Sequence, residues 1–303
     1  MSEHELLARL PAVLGPSSAG LRLGIGDDAA WLDGDLVWTI DTLIEGVHAL
    51  SGVSTLEDLG FRATMTSASD LAAMGAAPLF ALAAVTLRDE GDFAGVRRGQ
   101  EQALARLGAP IVGGNLTRGG ERSISTTWLG RAPRPLLRSG ARAGDGVFVA
   151  GALGLAAAGL EGLRRGIRVP EVCVAAHLRP VALIAAGLRA VEAGATSGID
   201  VSDGLVADAR HVACASSVAL SLDAGALAAA GGAALEEAAR ALSRDALDLA
   251  LSGGDDYALL FTGPQALARH FARVGVVEAG PPGVTVLRDG RPVELPGGFD
   301  HLG

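Results

Sequence analysis

Short apolar runs of strand length alternate with longer stretches of helical spacing over most of the chain. Residues 36–40 (LVWTI) read as a buried strand that stops at Asp41, and 56–75 have the length of a helix. Residues 79–87 form an apolar strand, 93–107 a helix, and 110–114 a short strand running into glycines. Residues 122–129 (RSISTTWL) alternate polar and apolar positions, which predicts a strand with one solvated face. Residues 130–146 (GRAPRPLLRSGARAGDG) then break the pattern with Gly, Pro and Arg, as a linker would. Beyond them come a strand at 147–150, Ala/Leu-rich helices to about 191, a strand at 198–201 and a helix from Asp203. A strand at 218–222, two helices, a strand at 257–262, a last helix and a short β-rich tail complete the series. The expectation is a two-domain α/β (α+β) chain divided into 1–135 and 136–303. A weak internal echo, Ile40-Asp41 against Ile199-Asp200, is as compatible with chance as with a shared architecture.

Composition narrows the chemistry. The formal net charge is −9, from 25 basic and 34 acidic residues, which argues against nucleic-acid and anionic-membrane partners. All of the basic residues are Arg; with no Lys, mechanisms that need an amine are excluded, among them the P-loop lysine and Schiff-base chemistry. The longest apolar stretch, 78–87, is half a membrane span, and the acidic N-terminus does not read as a signal peptide. Cys173 and Cys214 have no metal-type spacing and read as reduced core thiols of a cytoplasmic protein.

The 43 glycines cluster beside acids. Asp27 and Asp28 follow Gly26, Asp41 ends a strand, and Asp200, Ser202 and Asp203 fill a strand-to-helix loop. Asp255 and Asp256 follow a glycine pair, and Gly113 and Gly114 close another strand with backbone N–H groups suited to phosphate oxygens. Each feature also has a plain reading as a turn, cap or strand end. Ser69 or Asp70 before LAAMGA suits a helix N-cap, the favoured reading of that segment alone. A helix running through instead would align Thr66, Ser67 and Asp70 in one polar stripe. Taken together, Asp without His or Cys partners is a hard-oxygen set suited to Mg²⁺ shared with phosphates. Such a chain can support phosphoryl transfer through positioning and charge neutralisation. Arg138 is either a solvated linker charge or a phosphate contact, and His48 either a loop residue or a substrate hydrogen bond.

In this order, GIGDDAA (24–30), TIDTLIEGVH (39–48), SDLAAMGA (69–76), IVGGNLTRGG (111–120), LRSGARAGD (137–145), IDVSDGL (199–205), SGGDDYALLF (252–261) and GFDH (298–301) resemble the thiamine-monophosphate kinase family. That family lies within the aminoimidazole ribonucleotide synthetase-like ATP-binding superfamily. The resemblance implies a two-domain fold whose N-terminal strands form a barrel across a homodimer. It implies ATP-dependent phosphorylation of thiamine monophosphate to thiamine diphosphate, by direct in-line transfer with several Mg²⁺ ions. By motif position, Asp28, Thr39, Asp41, Asp70, Asp200 and Asp203 would be metal ligands. Gly113, Gly114, Arg138 and Ser202 would contact ATP, and His48, Asp255 and Phe299 the thiamine phosphate. Two positions depart from the pattern within the metal set: Ile40, which offers only a carbonyl, and Asn115, which offers an uncharged amide oxygen where Asp is usual. Asn115 keeps open the alternative of a non-catalytic or altered-substrate paralogue.

Overall fold

The structure, a computed structural model, describes residues 19–295; Phe299 lies outside them. Strands β1 (Leu21–Leu23), β2 (Ala30–Leu32), β3 (Leu36–Ile44), β4 (Ala77–Leu87), β5 (Ile111–Arg118) and β6 (Ser123–Arg131) form one sheet, in the order β1-β2-β3-β6-β4-β5. Strands β7 (Gly146–Ala150), β8 (Ser197–Val201), β9 (Ala219–Asp223), β10 (Ala258–Gly263), β11 (Ala272–Glu278), β12 (Gly283–Arg288) and β13 (Arg291–Pro292) form a second, ordered β13-β12-β9-β11-β7-β10-β8. Pairing is antiparallel except at β4–β5 and β9–β12, so the alternation of strands and helices does not produce a parallel sheet.

Helix α1 (Leu56–Ala73) lies between the sheets, against β3 and β6 on one side and β8 and β10 on the other. It is buried nearly all round, which explains its weak amphipathic pattern. Thr55 and Asp58 close a capping box at its start. The helix runs unbroken past Ser69 and Asp70, which corrects the N-cap expectation. Its end falls at Met74, where Gly75 takes a left-handed φ of 62°.

Along β3, Thr39 and Asp41 share the face turned to α1 with buried Val37, whereas Trp38 and Ile40 lie on the opposite, exposed face. The strand passes Asp41 and ends at Ile44, so Asp41 is not a strand terminus. Strand β5 likewise continues through its glycines to Arg118. A Cβ on Gly114 would sit 1.8 Å from the Ala83 carbonyl, so glycine there serves close strand approach, not a terminating turn.

The remaining helices are α2 (Asp92–Leu107), α3 (Leu155–Arg165), α4 (Glu171–Leu178), α5 (Ile184–Glu192), α6 (Leu205–Ser216), α7 (Ala224–Leu242) and α8 (Ala246–Ser252). The expected last helix is one 3-10 turn, Gln265–Arg269, and α6 starts at Leu205 after the Ser202–Asp203 bend. Cys173 is a buried free thiol as expected, but Cys214 is exposed on α6. Residues 132–145 are a packed strap: Ala132, Leu136 and Ala141 are buried, and the Leu136 N–H donates to the Met74 carbonyl at the end of α1.

Helices α1 and α2 cross through Gly60, Gly95 and Gly99; a Cβ on Gly99 would lie 1.9 Å from the Glu57 carbonyl. Gly99→Ala should therefore lower stability by about 1–3 kcal/mol through overpacking, read as a lower unfolding temperature. An unchanged melting curve would show that the two helices can move apart freely.

Candidate functional site

Helix α1 supplies the organising stripe. Arg62, Thr66 and Asp70 are spaced four apart, so they stand one above another on one helix face. Two of them tie to β3 and the third to the 253–257 loop. The Thr66 hydroxyl donates to Asp41 Oδ2 at 3.0 Å, the Thr39 hydroxyl donates to Asp70, and Arg62 Nη2 meets Asp255 Oδ2 at 2.7 Å.

Asp200 and the side chain of Asp28 are buried, Asp70 is half-buried, and the three repel one another. Burial first, then Asp200 and Asp28, hold the Asp70 carboxyl well above the ordinary carboxylate range. Burial and then Asp28 push Asp200 up to about 7. Burial also raises Asp28, against the opposing pull of Arg138. Arg138 is an internal counter-ion: its Nε and Nη2 donate to Asp28 Oδ1 at 3.1 and 2.5 Å, and its backbone N–H donates to Asp27 Oδ2 at 3.0 Å. The solvated-linker reading of Arg138 is thereby set aside. Burial and the neighbouring Asp28 raise Asp27 to about 6.

The second sheet delivers the rest. Asp200 is the penultimate residue of β8, and the following bend is pinned by Asp208, whose carboxylate accepts the N–H groups of Ser202 and Asp203. The 253–257 loop is held from several directions. The Asp255 and Tyr257 N–H groups donate to the Ser202 and Val201 carbonyls, both at 2.8 Å. The Asp256 carboxylate accepts from Gly154 and Ala156 at the start of α3; burial raises this acid to about 7. Asp255 and Tyr257 hold φ angles of 59° and 49°, an uncommon conformation for non-glycine residues that these contacts maintain. His48 accepts the Ile44 N–H on Nδ1 at 3.0 Å, which places its proton on Nε2.

One cavity of about 520 Å³ gathers much of this. Ile40, Asp41, His48, Asp70, Asp200, Ser202, Asp203 and Asp255 line it, and Asp28, Thr39 and Arg138 join through the contacts above. Gly113, Gly114 and Asn115 do not line it. Asp41 shares a register row with Thr126, Ala83 and Gly114, so the glycines lie three strand spacings, about 14 Å, away. The Ile40 side chain faces away from Asp70, leaving its carbonyl as the only donor. The sequence reading missed Arg62, His177, Tyr257 and Asp208, and named Asp256 as half of a paired-acid motif without giving it a role. Arg62 had a signal, a lone cation one turn before Thr66 in an apolar segment; Tyr257 is the chain's single tyrosine; His177 had none.

The residues fit a divalent cation of a particular kind. Asp28 Oδ2 is buried with no hydrogen-bond partner, and the raised acids around it would be relieved by positive charge. Among the described residues no three acidic, His or Cys side chains form a group that could hold an ion. Such an ion would complete its shell with water and phosphate oxygens, as Mg²⁺ does. Among the described residues no helix is long and apolar enough to cross a membrane.

Comparison with known proteins gives a consistent picture. Residues 26–132 match the family described as AIR synthase related protein, N-terminal domain. The chain is 36% identical to thiamine-monophosphate kinase of Escherichia coli K12 over 99% of its own length and 98% of the relative's. It is 39% identical to that of Mycobacterium tuberculosis H37Rv, over 90% and 83%. Among solved structures, AaThiL complexed with AMPPCP and TMP superposes with a TM-score of 0.88 at 33% identity, covering 99% of this chain and 97% of that one. The hydrogenase maturation protein HypE in complex with ATP shares the fold, with a TM-score of 0.70 at 21% identity over 97% of this chain and 94% of that one.

The raised carboxyls set a pH dependence. The folded protein binds the Asp200 proton more tightly than the unfolded chain, whose carboxyl titrates near 3.8, so this group's contribution to stability falls as pH rises from there to about 7. Without divalent cations or nucleotide, the unfolding temperature of Asp200→Asn should depend less on pH in that window. Asp70→Asn should unfold at an equal or higher temperature than the parent at neutral pH. An unchanged pH slope in Asp200→Asn would show that this acid is not buried in the charged cluster described.

Proposed function

The chain belongs to the thiamine-monophosphate kinase family, and on that premise we propose that it transfers the γ-phosphoryl group of ATP to the phosphate of thiamine monophosphate. An oxygen of the substrate phosphate forms the new bond to the γ-phosphorus as the bond to the ADP oxygen breaks, giving ADP and thiamine diphosphate. The observation that carries this reading is the single cavity lined both by the acids Asp41, Asp70, Asp200 and Asp203 and by His48 and Asp255. Its volume of about 520 Å³ lies in the range of small-molecule sites.

The chain's own groups act by holding and neutralising, which is what phosphoryl transfer requires. Asp28, Asp41, Asp70, Asp200 and Asp203, with Thr39 and the Ile40 carbonyl, would hold Mg²⁺, which supplies charge neutralisation to the phosphates when bound. Arg138, now paired with Asp28, would exchange it for a phosphate, and Ser202, in its pinned bend, would offer a hydroxyl to the nucleotide. The His48 Nε2–H is a donor suited to the substrate phosphate, and Asp255 an acceptor for the N–H-bearing end of thiamine. Phe299 is assigned to the same substrate by its motif.

A homodimer belongs to the same reading. The outer face of the first sheet exposes Trp38, Ile40, Phe80 and Leu82, each 45% or more. Strand β5 is an unpaired edge, and its Gly113, Gly114 and Asn115 lie outside the cavity of their own chain. A partner sheet closing on this face into a barrel would cover the apolar row and bring those residues toward ATP and metal. The proposed division into domains 1–135 and 136–303 is supported by its falling between the last strand of the first sheet, which ends at Arg131, and the first strand of the second, which begins at Gly146.

Two measurements test this. Purified chain with ATP, Mg²⁺ and thiamine monophosphate should yield thiamine diphosphate by chromatography, and Asp70→Asn should lose at least about 100-fold in rate. Turnover of a different acceptor alone would instead support an altered-substrate enzyme. By light scattering the chain should have twice its 30.4 kDa mass, and Leu82→Asp should shift it toward monomer. A monodisperse monomer from the parent chain would remove the barrel.

A further inference from the structure

Arg62 is 3% exposed, in the middle of α1, and does not line the cavity. Its three contacts are with two residues that do line the cavity, Asp255 and His177. Nη2 pairs with Asp255 Oδ2 at 2.7 Å, and Nη1 donates both to the His177 carbonyl and to His177 Nδ1, the latter at 3.2 Å. Because a guanidinium only donates, His177 Nδ1 accepts and the imidazole is neutral. Burial and Arg62 hold the His177 pKa at about 4, in keeping with that role. The 3.8 Å approach of His177 to Asp255 is therefore packing between a neutral ring and a carboxylate.

Asp255 does line the cavity, and its side chain is about a third exposed, at 32%. One carboxylate oxygen is held by Arg62, and the other accepts from the Tyr257 hydroxyl at 3.3 Å. Its backbone is in the left-handed region, next to Gly254, where a Cβ would meet the Ser202 carbonyl at 2.8 Å. Arg62 and Asp70 lie two turns apart on the same helix face, about 12 Å along a rigid axis. That axis fixes the separation between the carboxylate that faces substrate and the acids that face phosphates.

We propose that Arg62, braced by His177, is a positioning residue for thiamine monophosphate: it sets Asp255 against the substrate and so registers the acceptor phosphate on the acidic cluster. This rests on the reading of Asp255 as a substrate contact. Arg62 meets the cavity through two residues that line it, Asp255 and His177, and of these only Asp255 pairs with its charge, so most of its effect must vanish when Asp255 can no longer serve. It must also fall on thiamine monophosphate and not on ATP.

The test is steady-state kinetics of Arg62→Met, Arg62→Lys, Asp255→Asn and the Arg62→Met/Asp255→Asn double variant, with both substrates varied and thermal unfolding measured in parallel. Arg62→Met should raise KM for thiamine monophosphate at least about tenfold while KM for ATP moves less than about twofold. Arg62→Lys should recover part of that loss. The double variant should lie within about threefold of Asp255→Asn alone, because the two residues act as one unit. Multiplying single-variant effects, or a parallel loss in both KM values tracking the fall in unfolding temperature, would overturn the proposal and leave Arg62 as a structural tie. Should Arg62→Met fail to fold, Arg62→Gln carries the same cycle with Asp255→Asn. A parent chain that makes no thiamine diphosphate overturns the proposed reaction and this inference together; an active parent with unsplit variants overturns the inference alone.

Discussion

The structure depends on one buried helix that is not allowed to be wholly apolar. α1 is enclosed by both sheets, yet carries Arg62, Thr66 and Asp70 along one face. A buried polar group is costly unless paired, and these three find partners on two separate elements: Asp255 in the 253–257 loop, and Asp41 and Thr39 on β3. The partners come from a strand of the first sheet and from the loop leading into β10 of the second, so satisfying the helix requires the two halves of the chain to meet around it. The same requirement creates the cavity, because its walls are the elements that the stripe binds.

Electrostatics then separates assembly from function. Asp28, Asp70 and Asp200 are gathered at a cost that burial and mutual repulsion make visible in their raised pKa values. Arg138 offsets part of it at Asp28, leaving one oxygen of that carboxylate unpaired. External positive charge would relieve both the repulsion and the unpaired oxygen, so such a cluster is a candidate site with a stated physical reason. The rigid 253–257 loop shows the complementary strategy: an unfavourable backbone, held by hydrogen bonds from several elements, fixes a carboxylate where a flexible loop would not.

Much of the architecture was legible as pattern. The apolar runs gave most strands, and the long segment after residue 56 gave the central helix. The failures share a cause. Ser69 and Asp70 look like a cap because local hydrogen bonding favours one, but tertiary burial of the whole segment overrides that preference. Gly113 and Gly114 look like a turn, whereas Gly114 admits the neighbouring strand's carbonyl, a demand that local spacing cannot reveal. Arg62 and His177 were overlooked because their meaning lies in a contact between distant segments.

The sequence by itself determined the chemistry on offer: acids set beside glycines and hydroxyls, arginine as the sole permanent cation, and no lysine. These follow from residue type, and no fold could alter them. Tertiary structure decided which acids share a cavity, which one Arg138 engages, and that Asp255 stands on a buried guanidinium. Those outcomes turn on distances of a few ångströms between segments far apart in the chain, and Coulomb and hydrogen-bond energies depend on such distances rather than on order along the backbone.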